Sequence, residues 1–183
     1  LIIVDVQNDF CPGGALAVPD GDVIIPVINR YIALWTKNQA PIVASRDWHP
    51  EQTKHFAECG GPWPPHCIQH SHGAEFHPQL QLPDRVTVIS KGTDPVDDGY
   101  SGFEAVDDAG RPLSRILREW DVRHLYVCGL ATDYCVKATV LDGLKEGWPV
   151  TLLLDAVRGV NVKPHDSEEA IEQMERAGAQ TAT

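Results

Sequence analysis

Apolar runs and amphipathic stretches alternate along this chain, which is the pattern of strands and helices that follow one another. Short apolar or β-rich runs predict strands at 1–6, 41–45, 86–90, 124–130, 149–154 and, near the end, 179–183. Apolar residues at helical spacing predict helices at 22–37, 112–120, from 133 onward and from 166 to about 177. In the first of these helices we expect a buried face made of Val23, Val27, Tyr31 and Leu34.

This alternation predicts an α/β fold with three layers, α/β/α: an open, mostly parallel sheet of five or six strands with helices on both faces. The simplest organisation is one domain spanning 1–183. Sheets of this kind bind ligands beyond the carboxyl ends of their strands. Four reactive residues stand at or just past such ends: Asp5, Asp47, Lys91 and Cys135. We therefore expect them to meet at one edge of the sheet.

Cys135 is a candidate nucleophile because it falls at the predicted start of a helix, directly after a strand. Unpaired backbone N–H groups and the helix dipole favour an anion there, so we expect a lowered thiol pKa. The alternative is a small packed hydrophobe, and we assign Cys128, inside the strand, to that role. A nucleophile also needs a base and charge partners, which the rest of the chain must supply.

The segment from about 47 to 83 carries six of the eight histidines and is too long for an idle connection, so we interpret it as a metal-binding loop. Asp47 and His49 are two residues apart and point to the same side in extended backbone. His55 and His66 could complete a ligand set for Zn²⁺, Fe²⁺ or Mn²⁺. The alternative is that these histidines are ordinary surface residues.

Other histidines and cysteines in this segment give weaker signals. No metal role is predicted for His70, His72 or His77. Cys59 and Cys67 are eight residues apart and lack the close C-x-x-C pairing of structural zinc sites, so we do not favour a second metal there.

Composition excludes several partners. A net charge of −11 argues against binding to a nucleic-acid backbone, and no apolar run approaches the roughly 20 residues that a membrane span needs. Five cysteines, an odd number, favour reduced thiols in the cytoplasm over a secreted disulfide framework. The chain begins in mid-strand without Met, so a targeting segment stays open, as does assembly into a homo-oligomer.

Seven motifs in order give the chain a specific resemblance. They are VDVQNDFCPGGALAV near the start, SRDWHP at 45–50, GPWPPHCIQ at 61–69, GAEFHP at 73–78, KGTDP at 91–95, YSGF at 100–103 and GLATDYCV at 129–136. With these motifs, the whole chain resembles the nicotinamidase/pyrazinamidase branch of the isochorismatase-like cysteine hydrolases.

The resemblance implies a metal-dependent amidohydrolase that converts nicotinamide to nicotinate and ammonia through a thioester, acts on pyrazinamide likewise, and serves pyridine nucleotide metabolism and NAD salvage. It implies one divalent metal ion and no organic cofactor. Cys135 would be the nucleophile, Asp5 the general base and acid, and Lys91 the cation between them. The implied metal ligands are Asp47, His49 and His66, with His55 in some members.

The resemblance also implies how a pyridine or pyrazine carboxamide is held. Its ring nitrogen would bind the metal, and the ring would lie between aromatic walls and a cis peptide, formed by Phe10, Trp63, Tyr100, Leu130 and Ala131. We expect the backbone N–H groups of Ala131 and Cys135 to form the oxyanion hole. His70 departs from the family, which usually has glycine there.

Two alternatives remain at this point. An N-carbamoyl-amine hydrolase of the same superfamily would keep Asp5, Lys91 and Cys135 without needing the metal or the ring walls. From a different class, a non-catalytic metal-binding module would use these residues structurally. An isochorismatase proper lacks the cysteine, so Cys135 argues against it.

Overall fold

A computed structural model describes all residues from 1 to 183 and has one six-stranded sheet at its centre. The strands are β1 (Ile2–Val4), β2 (Val43–Asp47), β3 (Thr87–Lys91), β4 (Leu125–Leu130), β5 (Val150–Arg158) and β6 (Gln180–Ala182). They lie in the order β3-β2-β1-β4-β5-β6 and all pair in parallel. The predicted α/β class and parallel sheet are confirmed.

Helices cover both faces of the sheet, as expected for strands that are buried on both sides. They are α1 (Ile25–Lys37), α2 (Leu113–Glu119), α3 (Lys137–Lys145) and α4 (Asp166–Arg176). Ile3 of β1 packs with α1 in one hydrophobic cluster, whereas its neighbours Ile2 and Val4 pack with α2, α3 and α4 in a second cluster. Side chains of a strand alternate between its faces, so one short strand supplies both layers.

The predicted buried face of the first helix is wrong. Val23 and Leu34 are 48% and 51% exposed, and the buried residues of α1 are Ile25, Ile28 and Ile32. The chain first makes a 3₁₀ turn and becomes α-helical only at Ile25. Because the α-helix begins only at Ile25, a different row of residues faces the sheet.

Three strands end later than their apolar runs suggest, β3 by one residue and β2 and β5 by more. β2 continues to Asp47 and β5 to Arg158, so Asp155 lies inside β5 and not at its end. The pairing of β4 with β5 shifts register between Val127 and Gly129. Gly129 has φ +115°, and a Cβ there would lie 2.1 Å from the carbonyl oxygen of Val4, so only glycine allows β1 to approach this closely.

The long segment between β2 and β3 contains no α-helix or strand, only 3₁₀ turns at Ala57–Cys59 and His72–Ala74. An isolated β-bridge joins Phe76 of this segment to Gln7, just after β1, and another joins His49, just after β2, to Ile68 within the segment. It therefore lies across the carboxyl edge of the sheet. None of the helices combines the length and the apolar character needed to cross a bilayer.

Candidate active site and metal centre

The four reactive residues at the strand ends do meet. Asp5 follows β1, Asp47 and Lys91 are the last residues of β2 and β3, and Cys135 lies in a π-helical turn, Thr132–Val136, after β4. Asp5 has φ 49°, in the left-handed region, where the chain leaves the sheet. All four side chains are buried. Strand order alone predicted this convergence.

One ammonium group joins these side chains. Lys91 Nζ lies 2.7 Å from Asp5 Oδ2 and 3.4 Å from Cys135 Sγ, and it also contacts Asp47 Oδ1. It donates a further hydrogen bond to the carbonyl oxygen of Gly99 at 2.7 Å. We call Asp5, Lys91 and Cys135 the Asp–Lys–Cys cluster. Asp47 is the residue through which this cluster reaches the neighbouring histidines.

The charges of the cluster support one another. Burial alone would lower the pKa of Lys91, but the carboxylates of Asp47 and Asp5 outweigh it and raise that pKa well above its usual value. Burial would raise the pKa of Asp47, and Lys91 outweighs this, so that pKa lies well below its usual value. Both shifts favour the charged forms of Lys91 and Asp47.

The predicted lowering of the Cys135 pKa is wrong. Burial raises the pKa of this thiol well above its usual value, although Lys91 opposes the shift. Burial also raises the pKa of Asp5, again opposed by Lys91. Cys135 is buried beside the carboxylates of Asp5 and Asp47, and this outweighs its position at the start of a helical turn. Both shifts act in the same sense, since they disfavour ionisation of the thiol and make the neighbouring carboxylate more basic than usual.

Three imidazoles form a second group beside Asp47, and we call His49, His55 and His66 the histidine cluster. One nitrogen from each lies within 4.8 Å of the others. Asp47 Oδ2 faces His49 Nε2 at 3.5 Å and His66 Nε2 at 3.8 Å. Burial lowers the pKa of His55 to about 4, which keeps this imidazole neutral.

The donor set fits a divalent cation. His49 Nδ1 is hydrogen-bonded to the carbonyl oxygen of Gly92 at 3.1 Å, and His66 Nδ1 to that of Pro64 at 2.7 Å. Each carbonyl fixes a tautomer whose free Nε2 points toward Asp47. His49 Nε2 is buried without a hydrogen-bond partner. A buried acceptor left unpaired next to a carboxylate oxygen is what a metal ligand requires.

Close packing holds the His49 ring in place. Gly92 has φ +63°, and a Cβ there would lie 2.4 Å from His49 Cε1. Glycine at this position, directly after Lys91, therefore allows the ring to lie against the backbone. Phe56 also packs against this imidazole in a T-shaped arrangement, with ring centroids 5.4 Å apart.

A pocket opens onto both clusters, with an empty volume of about 430 Å³. Ten of its 14 lining residues are hydrophobic, which suits a flat aromatic ligand. The lining includes all five predicted wall residues: Phe10, Trp63, Tyr100, Leu130 and Ala131. Trp63 Nε1 donates a 2.9 Å hydrogen bond to the Tyr100 hydroxyl, and the Leu130–Ala131 peptide is cis, as the resemblance implied.

Five lining residues were not predicted: Leu16, Val18, Gly99, Tyr134 and Val160. Three of them lie inside the motifs near the start of the chain and around Cys135, so the signal was present but was not used for the pocket. Val160 follows β5 and carries no motif, and only the fold brings it to the site.

Two hydroxyl groups that tie the site together were also not predicted. Ser45 Oγ donates a 2.7 Å hydrogen bond to Asp5 Oδ1. Thr139 Oγ1 donates to the Cys135 carbonyl oxygen at 2.7 Å and accepts the Gly102 N–H at 2.9 Å. Ser45 is two residues before Asp47 on a strand and Thr139 is one turn after Cys135, so simple spacing could have found both.

The histidines and cysteines of the long segment for which no metal role was predicted do not line the pocket. His70 has φ 66°, a backbone conformation that favours glycine, and its ring packs edge-on against Trp48 with centroids 5.2 Å apart. Cys59 is exposed and Cys67 is buried, and neither belongs to a group of potential metal ligands.

These features define the class of this protein. It is a hydrolase with an α/β fold, in which a buried Asp–Lys–Cys cluster holds a candidate cysteine nucleophile next to a candidate metal site. The family model of the isochorismatase domain matches residues 1–183. The chain belongs to the isochorismatase family.

Individual relatives agree with this assignment. The chain is 43% identical to a nicotinamidase of Escherichia coli (strain K12), covering 98% of this chain and 92% of that one. It is 39% identical to a nicotinamidase/pyrazinamidase of Mycobacterium tuberculosis, covering 98% and 96%. A solved pyrazinamidase of Pyrococcus horikoshii, in complex with zinc, superposes with a TM-score of 0.92 at 51% identity and covers 100% of this chain and 97% of that one.

Proposed function

We propose that this protein is a metal-dependent cysteine amidohydrolase that converts nicotinamide to nicotinate and ammonia, and pyrazinamide to pyrazinoate. The relatives named above are nicotinamidases and pyrazinamidases that match nearly the whole chain. The observation that carries the proposal is the position of Lys91 Nζ, 2.7 Å from Asp5 and 3.4 Å from Cys135. Cys135 in turn lines the same pocket as His55 and His66.

In the first step Asp5 takes the proton of the Cys135 thiol. Burial raises the pKa of both groups, so the carboxylate is a better base than usual and the thiol does not ionise unaided. The resulting thiolate attacks the carboxamide carbon and forms a tetrahedral oxyanion bonded to sulfur. Lys91 stabilises the thiolate and remains paired with the Asp47 carboxylate while Asp5 holds the proton.

The oxyanion needs donors that are fixed before reaction. We assign this role to the backbone N–H groups of Ala131 and Cys135, which flank the turn after β4. The Ala131 carbonyl accepts the N–H groups of Tyr134 and Val136, both at 3.1 Å, and this holds the turn closed. The buried bond from Thr139 to the Cys135 carbonyl fixes the other end of the turn.

Collapse of the tetrahedral species breaks the C–N bond. Asp5 returns its proton to the departing nitrogen, so that ammonia leaves and a thioester to Cys135 remains. Asp5 then accepts a proton from water as the water attacks the thioester carbon. Nicotinate is released, and the proton on Asp5 restores the thiol.

We assign the metal to Asp47, His49 and His66, with His55 as a further candidate ligand. When bound, a divalent cation would orient the ring through its nitrogen, a role distinct from the generation of hydroxide. Zinc is the leading candidate because an acid with imidazoles suits it and the Pyrococcus relative was solved with zinc. Iron and manganese suit the same donors.

The ring itself would be held by Phe10, Trp63 and Tyr100, together with Leu130 and Ala131. An N-carbamoyl-amine hydrolase needs neither an aromatic pocket nor a histidine cluster, so the architecture favours the pyridine carboxamide. All five cysteines are unpaired, and we propose a reducing, cytoplasmic environment on that basis.

The test is ammonia release from nicotinamide and pyrazinamide by the purified protein, compared with an N-carbamoyl amine. We expect turnover of both carboxamides that is absent in Cys135→Ala, falls after treatment with a chelator and returns with added zinc. Turnover of the carbamoyl amine alone would overturn the substrate assignment, and full turnover by Cys135→Ala would overturn the mechanism.

A further inference from the structure

Gln7 makes an unusual set of contacts just beyond β1. Its side chain is fully buried. Oε1 accepts the backbone N–H of Asp47 at 2.8 Å, and Nε2 donates to the carbonyl oxygens of Asp47 at 2.8 Å and Ala74 at 2.9 Å. One amide thus holds both main-chain polar groups of Asp47 and one from the long segment.

The need for this clamp follows from the path of the backbone. β1 and β2 pair regularly through Val4 and Ser45, and the Asp5 N–H still reaches the Ser45 carbonyl at 3.2 Å. The chain then turns away at Asp5, where φ is 49°. The next polar groups of β2 on that side belong to Asp47, and without a main-chain partner they would be buried and unpaired. The Gln7 amide takes the place of the missing strand.

The opposite side of Asp47 is already fixed. Asp47 aligns with Lys91 in the β2–β3 register, and the Trp48 N–H bonds to the Lys91 carbonyl at 3.0 Å. With Gln7 on the other side, the backbone of Asp47 is held from both directions. Its carboxylate is shared in the same way, with Oδ1 on Lys91 and Oδ2 on the imidazoles of His49 and His66.

We infer that Gln7 is a positioning residue, which fixes Asp47 so that its carboxylate serves the Asp–Lys–Cys cluster and the metal centre together. This inference rests on the proposed function for the metal. The bond from Nε2 to the Ala74 carbonyl also ties the long segment to the edge of the sheet. Metal ligands from the sheet edge and from the segment therefore keep fixed positions relative to each other. Groups that orient a metal ligand in this way typically change metal affinity by about 10-fold to 100-fold when they are altered.

Gln7→Glu is the variant of choice because it keeps the shape and the Oε1 acceptor but puts an oxygen where Nε2 faces two carbonyl oxygens. Asn29→Asp is the matched control. Asn29 also clamps backbone with its amide, donating to the Gln79 carbonyl at 2.8 Å and accepting the Gln81 N–H at 2.9 Å. That clamp holds the same long segment, far along the chain from the metal ligands and closer to the surface.

Zinc affinity is measured for each protein by competition with a chromophoric chelator, and kcat and KM are measured over a range of zinc concentrations. We expect Gln7→Glu to bind zinc about 10-fold to 100-fold more weakly than wild type, and its activity to return toward wild type as zinc is raised. Asn29→Asp should bind zinc as wild type does. Unchanged zinc affinity in folded Gln7→Glu would overturn the inference, as would lost activity that zinc does not restore.

A third measurement does not depend on a variant that folds or on activity. Hydrogen exchange of the metal-free wild type should show the Asp47 amide as protected as the amides inside β2, whereas a rapidly exchanging Asp47 amide would overturn the inference. If Gln7→Glu does not fold, Gln7→Met replaces it under the same criteria. Wild-type protein that binds no zinc would contradict the proposed metal function, and the exchange of Asp47 would still decide on the clamp.

Discussion

The Asp–Lys–Cys cluster and the histidine cluster lie side by side but are built in different ways. The first takes its side chains from the ends of strands and the turn after β4, and its members are held mainly by charge, with Lys91 between the carboxylates of Asp5 and Asp47. The second takes all its members from irregular backbone, and two of its imidazoles, those of His49 and His66, are oriented by the carbonyl groups of Gly92 and Pro64.

This difference matches the work we assign to each cluster. Proton transfer and attack by sulfur need groups whose spacing is fixed by regular structure and whose pKa values are set by burial. Metal ligation needs neutral donors at suitable positions, which a loop can provide when each ring has its own hydrogen bond. Asp47 belongs to both arrangements, since it ends β2 and also begins the long segment.

The largest effect that separates the clusters should come from Cys135→Ala. Loss of the nucleophile should lower kcat by about a thousandfold or more, because no other group in the pocket can form the thioester. Zinc affinity should stay at the wild-type value, because Cys135 is not among the proposed ligands. Ammonia release and zinc competition measure the two quantities. Equal loss of both would mean that the clusters act as one unit.

Lys91→Met should have the next largest effect, and it acts on stability as well as on turnover. It leaves the buried carboxylates of Asp5 and Asp47 without their cation, which should lower the free energy of unfolding by about 3–5 kcal/mol. Denaturant titration measures this loss.

The matched control for Lys91→Met is Lys54→Met. Lys54 pairs with Asp98 at 3.7 Å, and both side chains are more than half exposed. Removing that pair should change the free energy of unfolding by less than about 1 kcal/mol. Similar losses in the two variants would contradict the role of charge in holding the Asp–Lys–Cys cluster.

Ser45→Ala tests the role of Asp5 as the base. The Ser45 hydroxyl favours the charged form of Asp5, so its removal should raise the pKa of that carboxyl further above its ordinary value. The base must be ionised, and activity therefore disappears as the pH falls through this pKa. The acid limb of kcat/KM should move to higher pH, with a loss of about tenfold on that limb. An unmoved limb would argue against Asp5 as the base.

Trp63→Phe should have the smallest effect of this series. It keeps an aromatic wall but removes the hydrogen bond from Trp63 to the Tyr100 hydroxyl. KM for nicotinamide should rise by about threefold to tenfold, the worth of one ordinary hydrogen bond, with little change in kcat. Tyr100→Phe removes the same bond, so the double variant should be no worse than either single one. Additive losses would mean that the bond itself contributes nothing.

The fold and the convergence of the site followed from the order of elements. The carboxyl ends of parallel strands meet at one edge of the sheet, so Asp5, Asp47 and Lys91 could be placed together from the sequence alone. Spacing and clustering already suggested His49, His55 and His66 as metal ligands, and the resemblance of motifs narrowed the set to His49 and His66, with His55 in some members.

Properties that depend on tertiary packing were beyond the sequence. A position at the start of a helical turn suggested a lowered pKa for Cys135, but the enclosure of the thiol by the sheet edge raises it. The buried face of α1 was predicted wrongly because the helix has two apolar stripes that are equally plausible from the sequence, and the one with its isoleucines is buried. Val160 reaches the pocket only because β5 extends beyond its apolar run.

In the proposed mechanism the cysteine carries out the covalent chemistry while the metal orients the ring. The most direct test compares nicotinamide with benzamide, which lacks the ring nitrogen, using zinc-loaded and chelator-stripped protein. Removal of zinc should lower kcat/KM for nicotinamide by about 100-fold, as expected for a misplaced substrate, and leave the slow hydrolysis of benzamide unchanged. An equal loss for both substrates would contradict this mechanism, since the metal would then act on the reacting carboxamide itself.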